Sequence, residues 1–205
     1  MGEILLKFFS SITDNGELIT LLVSMFPLIE LKGAIPIGMG LNVPLLKSAL
    51  LAYCGSSLIV IPIFFLLIPI FNLLKKIKFV KKIVEKIEAV FHDKAEKVAK
   101  NSKGKSEDKV TSFLMLALFI FVAIPFPVTG VWTGTGIAVF LNMKFKNAFL
   151  PIVLGNLVAG IIITLITFLF SAYVDLIINV LLVIALIMLA IFIFKLVKSK
   201  PKTEE

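Results

Sequence analysis

Two charged side chains, Glu30 and Lys32, stand within a long apolar stretch of the 205-residue sequence, and no other charge occurs between Glu17 and Lys47. A charge at the centre of a bilayer costs about 2.5–3.5 kcal/mol even on the lenient insertion scale, so such residues are candidates for function. Glu30 could bind a proton or a cation, and Lys32 could hold Glu30 in place or bind an anionic head group. Alternatively, they form a structural ion pair, which requires an unwound backbone because positions i and i+2 do not face each other on a helix.

A second segment, PFPVTGVWTGTG at 125–136, is uncharged and combines hydroxyl groups with the only Trp of the sequence. A hydroxyl-lined pocket with an aromatic wall suits an amphipathic or cationic ligand, although Trp132 is equally typical of an anchor at the membrane interface. Asn42 and Asn142 are polar residues in apolar surroundings, and we interpret them as caps of half-helices or as substrate contacts. The predicted substrate- and ion-binding residues are Glu30, Lys32, Gly33, Pro36, Asn42, Pro127, Thr129, Gly130, Trp132, Thr133, Gly134 and Asn142.

The residue inventory argues against an enzyme, a metal centre or a bound cofactor. His92 is the only His and Cys54 the only Cys, so one chain cannot build a Cys/His metal site. A serine hydrolase would need a His at membrane depth, and an aspartyl dyad would need a second carboxylate beside Glu30. The net charge of +8 comes from Lys residues that flank apolar segments, where topology signals belong, so nucleic acid is not an expected partner. Of the function classes considered, only binding and transport agree with these residues.

The elements that position these residues are predicted to be membrane helices. Hydrophobic residues make up 59% of the sequence and charged residues only 17%. Residues 48–74, 110–143, 147–174 and 176–194 contain no Asp, Glu, Lys, Arg or His. Because a helix crosses the bilayer with about 20 apolar residues, the composition predicts an all-α integral membrane protein in the cell membrane.

An internal repeat appears when the chain is shifted by 100 residues. FPLIELKGAIPIGMGLN at 26–42 then aligns with FPVTGVWTGTGIAVFLN at 126–142. Apolar composition alone would produce the Leu and Ile matches, so the signal rests on the Phe-Pro pair, the Asn pair and the pair Gly55 and Gly155. The offset predicts a duplicated fold.

Each repeat is predicted to consist of a re-entrant helical hairpin followed by a transmembrane helix. Residues 18–29 and 33–46 are each too short to cross the bilayer, and prolines and glycines interrupt 110–143 near its middle. Two interrupted tips that met near the midplane would direct helix ends and free carbonyls at one site. The predicted boundaries are 1–74 for the first repeat (hairpin about 17–46, span about 48–74) and 110–174 for the second (hairpin about 110–143, span about 147–172).

The distribution of Lys predicts the topology of a single membrane domain over 1–205. Residues 75–109 hold 12 Lys and 6 acidic residues, so we expect a cytoplasmic amphipathic helix and linker there. If 110–143 returns to the cytoplasm as a hairpin, Lys144 and Lys146 are cytoplasmic too. A C-terminal span at 175–197 then brings the tail, 198–205, to the cytoplasm, and the N-terminus lies outside. The two repeats consequently have inverted topology.

ELKGAIPIG at 30–38, followed by PFPVTGVWTGTG at 125–136, resembles the small multidrug export protein family of bacteria and archaea. That family is in turn similar to the DedA proteins, whose inverted re-entrant hairpins are linked to flipping of polyprenyl-phosphate lipid carriers. The family position at Lys32 is often Arg, whereas this sequence contains no Arg. Lys keeps the positive charge and loses the bidentate fork that suits phosphate.

The resemblance implies a transporter. We expect export of a small solute or amphipathic compound by alternating access, with proton coupling through Glu30. The alternatives are a DedA-like flippase of a polyprenyl-phosphate or other lipid carrier, and a membrane scaffold that transports nothing. A chain of 205 residues is small for an enclosed pathway, which favours a homodimer.

Overall fold

The structure is a computed structural model that describes residues 13–74, 76, 107–126 and 129–170, together with isolated positions between 180 and 194. Four predictions therefore lie wholly or mostly outside the described residues. They concern the cytoplasmic helix and linker (75–109), the C-terminal span (175–197), the tail (198–205) and the site residue Pro127.

The described residues form helices and no strand, which confirms the prediction of an all-α chain for this part of the sequence. Seven helices follow one another in the described ranges. They are α1 (Gly16–Ser24), α2 (Glu30–Gly40), α3 (Leu45–Leu58), α4 (Val60–Leu74), α5 (Glu107–Ala123), α6 (Val131–Phe140) and α7 (Phe145–Leu169).

Two of these elements are long and apolar enough to cross a bilayer, namely Leu45–Ile70, which joins α3 to α4, and α7. The 25 residues of α7 rise about 38 Å, compared with the roughly 30 Å of a hydrocarbon core. A helix in the core of a soluble protein can have the same length and apolar composition, but its side chains are mostly buried. Here large apolar side chains point outward, with Leu46 exposed by 74% and Leu169 by 71%. The described part of the chain therefore has an apolar outer surface, as expected of a protein that lies in a membrane.

The same order of elements occurs in both halves of the described chain. In each half, two helices are joined by a turn into a hairpin, and a long helix follows. The first hairpin is α1 with α2, and the second is α5 with α6. Both hairpins end in an Asn with a left-handed backbone, where φ is 62° at Asn42 and 54° at Asn142.

The two Asn turns also share their hydrogen bonds. The N–H of Val43 donates to the carbonyl of Gly38 over 3.0 Å, and the N–H of Met143 donates to that of Ala138 over 3.0 Å. This six-to-one bond, with a left-handed residue just after the helix, is the Schellman ending. Asn tolerates that backbone better than other residues with a Cβ. The Asn pair found in the sequence therefore ends α2 and α6 in the same way.

Each long helix crosses the first helix of its own half at an equivalent glycine. A Cβ on Gly55 would lie 2.4 Å from the carbonyl oxygen of Leu21 in α1. A Cβ on Gly155 would lie 2.7 Å from that of Phe119 in α5. Small residues at such crossings let membrane helices approach backbone to backbone. The two long helices also meet each other, because Asn156 donates its amide to the hydroxyl of Ser56 over 2.8 Å.

The two hairpins pack along different parts of Leu45–Ile70. The first hairpin lies beside α3, with the start of α1 next to Leu41 and Val43 at its open end. The second hairpin places α6 beside α4, where Val131 shares a buried cluster with Val60 and Gly136 faces Leu67. The hairpin tips consequently lie near the junction of α3 and α4, and their open ends lie towards opposite ends of that long element.

Candidate functional site

The tip of the first hairpin, residues 25–29 with Glu30, has an unusual backbone. Leu28 has φ of 73° and Glu30 has φ of 48°, both in the left-handed region that residues with a Cβ seldom adopt. Each such residue costs of order 1–3 kcal/mol and persists only where the surroundings hold it. This conformation turns the Glu30 side chain towards Lys32, and their charged groups pair over 3.0 Å. The pair therefore forms at the first turn of α2, and the left-handed backbone of Glu30, rather than an unwound segment between the two residues, allows the i, i+2 contact.

Lys32 is buried, with 6% of its surface exposed, and all three donors of its ammonium group have acceptors. One acceptor is Oε2 of Glu30. The other two are backbone carbonyls of the second hairpin tip, those of Phe126 (3.0 Å) and Thr129. These carbonyls lie in the break between α5 and α6, where a helix offers no partners. Lys32 thus donates hydrogen bonds to two carbonyl groups of the opposite hairpin that lie outside its helices.

Glu30 is equally buried, at 6% exposure, and it caps α6 from the opposite hairpin. Its Oε1 accepts the backbone N–H of Trp132 over 3.0 Å, one of the first N–H groups of α6. The capping position of α6 is Gly130, which has no side chain that could do this. A carboxylate at a helix N-terminus also interacts favourably with the helix dipole.

Gly130 allows this close approach because it lacks a Cβ. A Cβ there would lie 1.8 Å from Oε2 of Glu30 and 2.5 Å from its carboxyl carbon. No side chain fits unless the carboxylate moves. The glycine predicted as a binding residue is therefore needed for the contact between the two tips.

Two further contacts fix the tips to each other. The indole N–H of Trp132 donates to the carbonyl of Met25 over 2.9 Å. The Thr129 hydroxyl stays within its own loop, where its oxygen lies 2.7 Å from the carbonyl of Ile124 and accepts the N–H of Phe126 over 3.2 Å. Trp132 therefore links the hairpins, and Thr129 shapes the loop whose carbonyl binds Lys32.

The structure brings some of the predicted site residues together and separates others. Glu30, Lys32, Thr129, Gly130 and Trp132 meet at the two tips. The others lie along or beyond the helices. Pro36 is fully buried within α2, Gly33 packs against Ile29 and Gly134 against Val122, Thr133 is half-buried on α6, and Asn42 and Asn142 lie at the far ends of α2 and α6.

Sequence reasoning missed the backbone carbonyls of Met25, Phe126 and Thr129 as partners. Carbonyl groups have no signature of their own, since every residue carries one. The spacing of prolines and glycines indicated where helices break, but not which donor would satisfy the freed carbonyls.

The site is a nearly neutral, water-poor junction that both hairpins build. It holds one negative and one positive side chain, and each bonds the backbone of the opposite hairpin. Within the described residues, no group of three or more His, Cys, Asp or Glu side chains could hold a metal ion. The two tips can separate only if they give up these shared bonds.

Comparison with known proteins gives one match. No curated protein and no solved structure matches the chain. The matching family model covers residues 30–162, from Glu30 itself to the middle of α7, which is more than half of the sequence. The match includes Glu30, Lys32 and the connection between α5 and α6, and the chain belongs to the family described as "Putative small multi-drug export protein".

Proposed function

We propose that this protein exports a small solute or amphipathic compound across the cell membrane by alternating access, with a proton on Glu30 as the coupling ion. One observation carries the proposal: a buried ion pair joins the two hairpin tips, and each of its charges bonds the backbone of the opposite hairpin. Buried ionisable residues in a membrane protein are expensive and mark ion or substrate pathways by default. The family description agrees with export.

The two halves are inverted-topology repeats, each a re-entrant hairpin followed by a span. The arrangement of α2 and α6 along Leu45–Ile70 supports this reading, because their open ends lie towards opposite ends of that element. The 11 residues of α2 rise about 16 Å, roughly half of a hydrocarbon core. Two hairpins of that depth, entering from opposite sides, meet at the midplane, where transporters of this architecture bind substrate.

Protonation of Glu30 provides the switch. A neutral Glu30 attracts Lys32 and the N-terminus of α6 much less than a carboxylate does, because both contacts depend on its negative charge. The bond from Trp132 to Glu30, which joins the hairpins, then weakens together with the ion pair that positions Lys32 within the first hairpin. The repeats can rock apart on one side, with the crossing at Asn156 and Ser56 between the long helices as the pivot.

Orientation follows from the Lys distribution. The N-terminus lies outside, the open end of the second hairpin and the C-terminus are cytoplasmic, and the chain crosses the membrane several times. The surrounding bilayer and a small-molecule substrate are its partners, and a homodimer completes the pathway. We propose no enzymatic activity, since the buried groups of the described site bind one another and include no nucleophile beside a base.

The test is uptake of ethidium into proteoliposomes driven by a pH gradient. Glu30→Gln keeps a hydrogen-bond acceptor for Trp132 but cannot release a proton, so it should fold and lose at least about tenfold of gradient-driven uptake. Glu17→Gln is the matched control, because Glu17 pairs with Lys47 at an exposed position. Full gradient-driven uptake by Glu30→Gln would exclude Glu30 as the coupling group. If the unaltered protein shows no uptake, the scaffold becomes the better hypothesis.

A flippase for a lipid carrier with an anionic head group is the second candidate. Lys32 and the N-terminus of α6, which now hold the carboxylate of Glu30, would both attract such a head group. Lys32→Ala should then weaken binding of a polyprenyl phosphate more than binding of ethidium. Equal losses for both ligands would remove the flippase from consideration.

A further inference from the structure

An open groove runs between α3 and α7, on the side of the molecule that carries the first hairpin. Its volume is about 420 Å³, within the range of small-molecule sites. The floor consists of Ala49, Tyr53, Gly160 and Thr164, which are buried or half-buried, whereas the rim consists of exposed Leu and Ile side chains such as Leu46. The groove faces the hydrocarbon of the bilayer.

The lining of the groove is apolar in practice. The Thr164 hydroxyl donates to the carbonyl of Gly160 over 2.7 Å, within its own helix. It therefore presents its methyl group as the remaining contact. A ligand in this groove needs no polar group, which excludes sugars, nucleotides and free ions as occupants.

The equivalent place in the other half is filled. At the 100-residue offset, Ala49 corresponds to Phe149, and Thr164 corresponds to Phe64. Phe145 packs against both, with ring centroids 5.2 Å from Phe64 and 5.2 Å from Phe149. The groove therefore has Ala49 and Thr164 where the equivalent place has the aromatic rings of Phe149 and Phe64.

The buried side chain of Leu31 separates the floor of the groove from the ion pair. The floor residue Gly160 lies against Leu31, since a Cβ on Gly160 would be 3.0 Å from a methyl group of Leu31. Leu31 stands between Glu30 and Lys32 in α2 and is 1% exposed. A molecule with its tail in the groove would reach the charged junction with its head group only when Leu31 moves aside.

We propose that this groove holds the hydrocarbon tail of the amphipathic substrate, a single unbranched chain, while the head group lies at the hairpin tips. The inference rests on the proposed transport function and names its substrate class. Bilayer chains are as apolar as the groove, so the tail gains little by leaving the lipid. The head group supplies affinity, and the groove selects tails by shape and length.

The experiment uses the full-length protein in nanodiscs and butyl-, octyl- and dodecyltrimethylammonium. The double variant Ala49→Phe/Thr164→Phe copies the filled half, and it should lower the affinity for the dodecyl compound at least about tenfold and leave that for the butyl compound unchanged. Leu150→Phe/Leu154→Phe is the matched control, because it adds two rings to exposed positions of α7 outside the groove. Equal affinities in both double variants would overturn the inference.

A dodecyl probe with a terminal diazirine locates the tail directly. We expect its label on α3 and α7 around Tyr53 and Thr164, and Phe149→Ala/Phe64→Thr should create a second labelled position by opening the other half. Even labelling of all exposed faces, including Phe113 on α5, would mean annular lipid only. No label in the groove would mean that another part of the chain or a second copy covers it, and either result overturns the inference.

Failure of this inference is distinguishable from failure of the proposed function. If the filled variant transports all tail lengths like the parent while Glu30→Gln stops gradient-driven uptake, transport stands and the groove has no part in it. If the groove is labelled but the parent protein shows no uptake, the result supports the binding site and contradicts the transport function.

Discussion

At the residue scale, the charged junction is stabilised because each hairpin supplies hydrogen-bond partners that the other hairpin lacks. The second hairpin has carbonyls outside its helices and a helix N-terminus without a side-chain cap of its own, and the first hairpin has two buried charges. Each part alone would leave polar groups unsatisfied in hydrocarbon, at several kcal/mol per group. Together the two hairpins satisfy these groups, so removing one side chain leaves its buried partners without hydrogen bonds and destabilises the fold.

Gly130→Ala tests this arrangement without altering either charge. The added Cβ would overlap the Glu30 carboxylate, so the carboxylate must leave Trp132 and Lys32. We expect the free energy of unfolding in mixed micelles to fall by about 2–3 kcal/mol.

Gly136→Ala in the same helix is the control for Gly130→Ala. Its Cβ would meet only Leu67, at an ordinary 4.0 Å, and Ala favours a helix over Gly. Its stability should therefore be unchanged or higher. Equal stabilities of the two variants would contradict the close contact between Gly130 and Glu30.

At the element scale, the long helices make the main packing contacts, and the ends of the shorter helices form the charged junction. Gly55 and Gly155 let α3 and α7 lie directly against α1 and α5, and Asn156 joins the two long helices at their own crossing. The Schellman turns at Asn42 and Asn142 then return the chain into those long helices. The positions of both tips follow from these crossings.

Gly55→Ala and Gly155→Ala should therefore have similar effects. In both variants the new Cβ meets a backbone carbonyl, which cannot rotate away, so the helices must separate. We expect a loss of about 1–3 kcal/mol from each, measured by unfolding in mixed micelles.

Gly40→Ala serves as the control for this pair, because a Cβ at Gly40 has nothing within 4 Å. A loss in only one of the two crossing variants would show that the halves are not packed alike, and a loss in Gly40→Ala would point to a general effect of the added methyl group.

At the scale of the whole molecule, the proposed inverted repeats predict which side of the membrane each hairpin enters. The open end of the first hairpin carries the exposed pair Glu17 and Lys47, and that of the second carries Lys144 and Lys146. If the tips meet at the midplane, these two ends lie on opposite faces of the bilayer.

Cysteine labelling checks this placement. In a Cys54→Ala background, Gly40→Cys should react with a membrane-impermeant maleimide in intact cells, and Lys146→Cys should react only after permeabilisation. Both positions are exposed in the structure, so access to solvent on the correct side limits the reaction. Labelling of both positions from the same side would contradict inverted repeats, whereas the reverse pattern would keep the inversion and turn the whole protein over.

The sequence by itself determined that this chain is helical and membrane-embedded and where its rare charges lie. These properties depend on local composition, because hydrocarbon obliges each segment to satisfy its own backbone by forming a helix. The sequence placed the break of the first hairpin at residues 30–32, whereas the structure has the break at 25–29 and begins α2 at Glu30. The 100-residue offset also paired the Asn residues and the Gly residues that the structure places at equivalent turns and crossings, although it did not predict the crossings themselves.

Only the tertiary structure decided that Lys32 binds the carbonyls of Phe126 and Thr129, that Glu30 caps α6 through Trp132, and that a groove opens beside α3. The bonded partners stand about 100 residues apart, and carbonyl groups occur at every position of a sequence. Their selection depends on how the two hairpins pack against the long helices. The groove likewise exists only because small side chains from two distant helices face each other across one gap.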